Sequence, residues 1–352
     1  MALSVGIVGL PNAGKSTLFN ALLGRQIADC SNYPFCTIEP NNGIVEVPDG
    51  RLPVLAEIVN TDQIVPAAVE FIDIAGLVKG AHKGEGLGNK FLAHIREVAI
   101  ICHVVRFFKD DNVSHVNQKI DPKSDVEIIN SELILADLQT LDKQKKPKGN
   151  IEKEEKFFWS GLEKLKLEMD KGILARDVEL SEEERKLVRR LFLLTDKPMI
   201  YVANVAEDKI KEKVDFPYQP LIVLSAKTES EIVIFSEKEQ IEYLSQYGLD
   251  EPGLSRLIKL AYDTLGLISF LTTTGGKEVR AWTIKRETSV KEAAGVVHTD
   301  FEKNFIKADV ISFEDFVQYR GWNNARSLGK VRTEGSDYLV QDGDVIEFKA
   351  GR

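Results

Sequence analysis

Cysteine is scarce in this sequence, and the three present, Cys30, Cys36 and Cys102, form neither a disulfide framework nor a CxxC pair. That argues against a chain stapled for an oxidising compartment, and the expected location is cytoplasmic. Long hydrophobic runs are missing too. No apolar stretch is long enough to span a bilayer, and the apolar N-terminus lacks a basic n-region, so no membrane partner is expected. Positive charge is in deficit, 46 Lys and Arg against 55 Asp and Glu, for a formal charge of −9. A generally basic nucleic-acid coat is therefore not expected, and DNA is not an expected partner, although a local basic patch can still bind RNA. Neither internal repeats nor low-complexity segments are evident. What remains is a 352-residue chain, 43% hydrophobic and 29% charged, of ordinary globular composition and long enough for two or three domains.

Against these absences stands one dense motif. Residues Gly9-Leu10-Pro11-Asn12-Ala13-Gly14-Lys15-Ser16 spell GxxxxGKS between an apolar run (3–8) and a helix-like stretch (17–23), where a phosphate-cradling loop must sit. Glycines let backbone N–H groups close around phosphate oxygens, and the following helix N-terminus favours the negative charge. The chain is expected to bind a nucleoside triphosphate, with Lys15 neutralising the β- and γ-phosphates and Ser16 holding Mg²⁺. Further apolar runs at 69–74, 99–108, 199–203 and 221–224, each followed by a loop and often a helical pattern, predict a mostly parallel α/β sheet.

Asp73-Ile74-Ala75-Gly76 closes the second run. It places a carboxylate where it can orient a Mg²⁺-bound water and a glycine where the γ-phosphate can approach. Upstream, the polar loop 31–40 carries Thr37, expected as the second protein ligand of Mg²⁺, engaged only while the γ-phosphate is present. Residues 76–89 hold five glycines, suited to a mobile switch. Leu77 stands where Ras-like GTPases carry the glutamine that orients the attacking water, and an apolar side chain cannot do that. Three substitutes are open: a backbone group, a bound K⁺ beside Asn12, or a distant polar residue. Asn12 is equally read as a stabiliser of its own loop. Of the histidines, His103 reads as core, His94 as helix surface and His298 as part of the distal module. His82 and His115 remain candidates, with His115 able to approach the γ-phosphate from the loop after the 99–108 run.

The base-reading position is the most selective feature. GTP-selective proteins use NKxD, whose aspartate accepts from guanine N1–H and the 2-amino group. Here the run 199–203 continues Asn204-Val205-Ala206-Glu207-Asp208, without the lysine and with Glu207 for the aspartate. Adenine offers N6–H₂ and N7, which an asparagine such as Asn204 can bind in bidentate fashion, so the pocket reads as tuned to ATP. Ser225-Ala226-Lys227, after the run 221–224, is the loop expected beneath the base.

Between these strands lies a Glu-, Lys- and Leu-rich segment, 125–195, read as an inserted helical hairpin. Its basic turn holds Lys143, Lys145, Lys146 and Lys148 and breaks at Pro147 and Gly149. These lysines are read either as a solvated tip or as phosphate contacts. Past a helix-like stretch at 254–265, strand candidates at 279–284, 308–312, 331–334 and 345–348 predict a small α+β module that also carries Lys330 and Arg332.

Taken together, GLPNAGKST (9–17), NYPFCTIEPN (32–41), DIAGLVKGAHKGEGLGNKFL (73–92), NVAE (204–207) and VQDGDVIEF (340–348) resemble the Obg-related branch of P-loop GTPases, and within it the YchF/Obg-like ATPase family, over the entire chain. The resemblance implies a P-loop NTPase with a Ras-like, OBG-type G domain (1–274), interrupted at 125–195 by an α-helical coiled-coil hairpin. An α+β, ubiquitin-like TGS domain at 275–352 would follow. It implies a ribosome-associated ATPase that acts as a nucleotide-gated switch in translation or stress response, contacting rRNA or a ribosomal protein; the alternatives are an Obg-type GTPase, or a nucleotide-gated binding module in which hydrolysis only resets binding. Asn12, Ala13, Gly14, Lys15, Ser16 and Thr17 would bind phosphates. Asn204, Val205, Glu207, Ser225 and Ala226 would surround the base. Ser16, Thr37 and, through water, Asp73 would hold Mg²⁺. On the reading of the residues themselves, apart from the resemblance, Lys15, Gly76 and His115 are the candidates to serve the chemistry. Cys36, where threonine is common, is the one small departure.

Overall fold

The computed structural model describes residues 4–25, 41–74, 87–109, 120–147 and 152–351. Twelve strands are assigned among them: β1 (Ser4–Val8), β2 (Asn42–Glu46), β3 (Ile64–Val65), β4 (Ala68–Asp73), β5 (Ile100–Arg106), β6 (Met199–Asn204), β7 (Leu221–Leu224), β8 (Leu267–Thr272), β9 (Val279–Lys285), β10 (Phe305–Ser312), β11 (Arg332–Glu334) and β12 (Asp344–Ala350). They form two six-stranded sheets, ordered β2-β4-β1-β5-β6-β7 and β11-β10-β12-β8-β9-β3.

The first sheet is built on parallel pairs, β1 with β4 and β5, β5 with β6, and β6 with β7. Every residue of β1, β5 and β6 is buried, as expected for strands covered on both faces. The 199–203 run extends one residue further than its apolar letters suggest, because Asn204 pairs with Arg106 and Leu224. Helices α1 (Lys15–Leu23), α2 (Arg51–Val59) and α3 (Leu87–Glu97) precede β5. Val8, Leu10, Ile74, Phe91, Ile95, Ile101 and Val105 lie in one core cluster.

The expected helical segment is present as α4 (Pro122–Asp142), α5 (Lys153–Met169) and α6 (Glu182–Val188), with short 3-10 turns following. Asp121 caps α4 by accepting from the Ser124 N–H, with Pro122 at the first helical position. Helix α4 serves two cores. Val126, Ile129, Leu133 and Ala136 pack against the first sheet, while Ile134 and Leu141 join Phe158, Trp159, Leu162 and Leu165 of α5. The inserted hairpin thus shares its first helix with the sheet layer.

Beyond it, α7 (Ala226–Ile232), α8 (Glu237–Ser245) and α9 (Gly253–Thr264) complete this part of the chain. The second sheet is mixed. Antiparallel pairs join β8 to β9, β10 to β11 and β10 to β12, and parallel pairs join β12 to β8 and β3 to β9. Its core is Ile268, Phe270, Ile284, Val290, Ala293, Ala308, Val310 and Ile346. Strand β8 lies before the expected boundary at 274/275 yet sits between β12 and β9. It is a short buried run that resembles the end of the preceding helix in sequence. The described residues also divide differently: Ile44–Val69 gathers with the C-terminal residues from Ile258 onward. There β3 pairs with β9, and Arg51 bridges Asp342 at 2.9 Å. No described helix is long and apolar enough to cross a membrane.

Candidate functional site

The phosphate loop leaves β1 at Val8, one strand away from β5 on one side and β4 on the other. Gly9 is required by close approach, since a Cβ there would stand 2.4 Å from the Val104 carbonyl oxygen. Gly14 has φ 97°, and a Cβ there would stand 2.1 Å from Asn204 Nδ2. Asn12 has φ 62°, a left-handed conformation that asparagine tolerates better than most residues.

Lys15 opens α1 and is 8% exposed; its Nζ donates to the Leu10 carbonyl at 2.9 Å. Burial lowers its pKa, against the attraction of Asp73. Ser16 Oγ donates to Asp73 Oδ2 at 3.5 Å, and Asp73 Oδ1 is buried without a partner. Burial raises the Asp73 pKa, opposed by Lys15 and by the Ser16 bond. A hydroxyl and an under-satisfied carboxylate are hard oxygen donors of the kind Mg²⁺ takes, so these residues fit that ion. Among the described residues no group of three or more His, Cys, Asp or Glu could hold a metal ion. Thr37, Gly76, Leu77, His82 and His115 lie outside the described residues.

His103 is fully buried, with neither ring nitrogen partnered, and burial next to the Lys15 charge drives its pKa down to about 3. It is a neutral core residue, its ring 5.8 Å from that of Tyr201. His94 is exposed on α3, and His298 caps the helix 299–303 by accepting from the Asp300 N–H.

On the base side the structure changes one expectation. Asn204 is 4% exposed; its Nδ2 donates to the Ala13 carbonyl at 2.9 Å and its Oδ1 accepts from the Ala226 N–H at 2.9 Å. The amide therefore ties the phosphate loop to the loop after β7, and does not hold both ends free for a bidentate grip on adenine. Val205 is buried in a cluster with Ala203 and Ile210. Ser225 spends its hydroxyl as the cap of α7, accepting from Thr228 N–H at 3.3 Å. Glu207 Oε1 accepts from two phenols, Tyr243 at 2.5 Å and Tyr247 at 2.6 Å, which push its pKa below the usual carboxylate value. Sequence reasoning does not single out this pair; its signal is two tyrosines four residues apart, Tyr243 in the last turn of α8 and Tyr247 just past its end.

Of the basic residues singled out, Lys143 and Lys145 are exposed, while Lys146 bridges Glu163 at 2.9 Å beside the Trp159 ring. Lys148 lies outside the described residues. Lys330 and Arg332 are both exposed, and Arg332 is engaged by Glu334, Asp344 and Tyr338.

Residues 4–136 match the family described as "50S ribosome-binding GTPase", and residues 267–351 match the family YchF-GTPase_C, described as a protein of unknown function. The chain is 51% identical to "Ribosome-binding ATPase YchF" of Bacillus subtilis (strain 168), over 99% of both chains. It is 48% identical to the protein of that name from Escherichia coli O157:H7, again over 99% of both. The solved YchF GTPase of Schizosaccharomyces pombe superposes with a TM-score of 0.87 at 35% identity, covering 99% of this chain and 97% of that one.

Proposed function

The chain belongs to the YchF family, and on that premise we propose that it is a ribosome-associated ATPase that hydrolyses ATP in preference to GTP. One observation carries the reading. Buried Lys15, with Ser16 bonded to Asp73 beside it, is joined through Asn204 to a base loop in which Val205 and Glu207 stand at the lysine and aspartate positions of a guanine reader.

Each residue then has a task. Backbone N–H groups of 12–17 bind phosphate oxygens, and Lys15 leaves the Leu10 carbonyl for the β- and γ-phosphates. Ser16, with Thr37 and a water held by Asp73, would hold Mg²⁺, which when bound offsets charge on the phosphates. Gly76 would admit the γ-phosphate. The Leu77 side chain cannot orient water, so His115 or K⁺ near Asn12 is proposed for that step. Replacing K⁺ by Na⁺ and testing His115→Ala separates the two.

The family name of the relatives, the exposed Lys143 and Lys145, and a C-terminal mixed sheet suited to a TGS domain support the ribosome as partner, with the nucleotide setting the surface offered. The test is equilibrium titration with Mg²⁺. ATP should bind about tenfold or more tightly than GTP, because unpaired polar groups are costly. Equal affinities overturn the ATP assignment. Failure to sediment with ribosomes under every nucleotide at low salt overturns the partner.

A further inference from the structure

The structure assigns a specificity role to Tyr243 and Tyr247: we propose that they set the nucleobase preference by occupying the acceptor that guanine would need. This rests on the ATP reading above, in which Glu207 stands at the base edge.

Guanine presents two adjacent donors, N1–H and the 2-amino group, and a carboxylate satisfies both only with both oxygens available. Adenine carries an acceptor at N1 and one amino donor, at N6. A carboxylate oxygen offers about two lone-pair sites. At Glu207, Oε1 takes the Tyr243 hydroxyl at 2.5 Å and the Tyr247 hydroxyl at 2.6 Å, so that oxygen is saturated. One oxygen remains. It cannot reproduce the grip in which each guanine donor has its own carboxylate oxygen, so the two donors are left to share one acceptor in poorer geometry, whereas a single amino group is fully served.

The clamp is held in place by its surroundings. Helix α8 starts from a capping box in which Ser236 and Glu239 bond reciprocally. The two rings lie side by side, centroids 5.7 Å apart, and the turn that carries Tyr247 is closed by its N–H on the Leu244 carbonyl at 2.9 Å. Lys211 Nζ donates to the Gln246 carbonyl at 2.6 Å and sits 5.7 Å from the Tyr247 ring. The Glu207 carboxylate pushes the pKa of both phenols up, so they remain donors at neutral pH. Phenylalanine at either position would keep the ring and delete only the hydroxyl.

The experiment compares ATP and GTP affinity of the full chain with Mg²⁺, for wild type, Tyr243→Phe, Tyr247→Phe and the double variant. With Oε1 freed, the double variant should gain GTP affinity relative to ATP, narrowing the preference by about tenfold. Each single variant should narrow it less. A wild-type preference that survives intact in a double variant with near-native melting overturns the assignment and leaves the ATP reading standing. Parallel loss of both nucleotides, with the ratio unchanged, overturns it too, by reducing the tyrosines to scaffolding. A wild-type ratio near one overturns the ATP reading and the clamp with it. Should the double variant fail to fold, Tyr247→Phe alone decides: an unchanged ratio overturns the proposal.

Discussion

Asn204 and Ala13 are joined across the site, Nδ2 to carbonyl at 2.9 Å, while the other end of the same amide takes the Ala226 N–H at 2.9 Å. One side chain at the end of β6 thus fixes the phosphate loop and the base-side loop relative to each other. Its contribution is geometric.

Asn204→Ala should therefore act on stability and on nucleotide affinity together. It leaves the Ala13 carbonyl and the Ala226 N–H unpaired in a buried place, at a cost of about 1–3 kcal/mol. Thermal melting should fall, and ATP and GTP should weaken in parallel. Loss of ATP affinity alone, at unchanged melting temperature, would instead identify the amide as a base reader.

The same contact makes Gly14 intolerant of any side chain. Its φ of 97° strains an L-residue, and a Cβ would overlap Asn204 Nδ2 at 2.1 Å. Gly14→Ala should lose measurable nucleotide binding. Gly50→Ala is the matched control, since φ is −64° there and a Cβ meets nothing within 4 Å; titration should find its affinity unchanged.

Much of this was legible in the sequence because the signals are local. GxxxxGKS announced the loop, and the central buried strands announced themselves as apolar runs. What the sequence hid is long-range. The bond from Asn204 to Ala13 links positions 191 residues apart, and letter order gives no sign that an amide suited to adenine is already engaged. Glu207 was read as a substituted aspartate, while its tyrosine partners lie 36 and 40 residues downstream. Strand β8 escaped because six buried residues directly after a helix have no periodicity of their own. Helix α4 escaped division because its two faces serve different cores, which only packing reveals.

Acid should loosen the helical insertion through Glu184. Burial alone would raise its pKa, but bonds from Lys164 at 2.8 Å, Ser160 at 2.6 Å and the Ser181 N–H at 2.9 Å hold it down at about 2. A carboxyl whose folded pKa lies below its unfolded value stabilises fully above the unfolded value near 4.5 and loses that stabilisation as pH falls towards 2. With Lys164 half exposed and its attraction screened, the contribution is about 1–2 kcal/mol. Hydrogen exchange in α5 and α6 should accelerate across that window. Glu184→Gln should show faster exchange at neutral pH and a flatter response to acid; an identical acid response would remove Glu184 from this role.

The basic turn gives the sharpest test of the ribosome as partner, because its lysines are not equivalent. Lys146 is already paired with Glu163 and lies 6.0 Å from the Trp159 ring centroid, so its charge is partly spent within the insertion. Lys143 and Lys145 are exposed, with no ion pair to another of the described residues. If the turn meets rRNA phosphates, affinity should fall steeply with salt, and each lysine that contacts a phosphate should add about one to the log–log slope. Lys143→Ala with Lys145→Ala should therefore weaken co-sedimentation and flatten the slope by about two. Lys146→Ala should do less to binding and more to the stability of α5. Equal effects from all three would mean that Lys146 leaves Glu163 on binding. A double variant that sediments like wild type at every salt concentration would return the turn to a solvated tip and shift the contact to another surface of the chain.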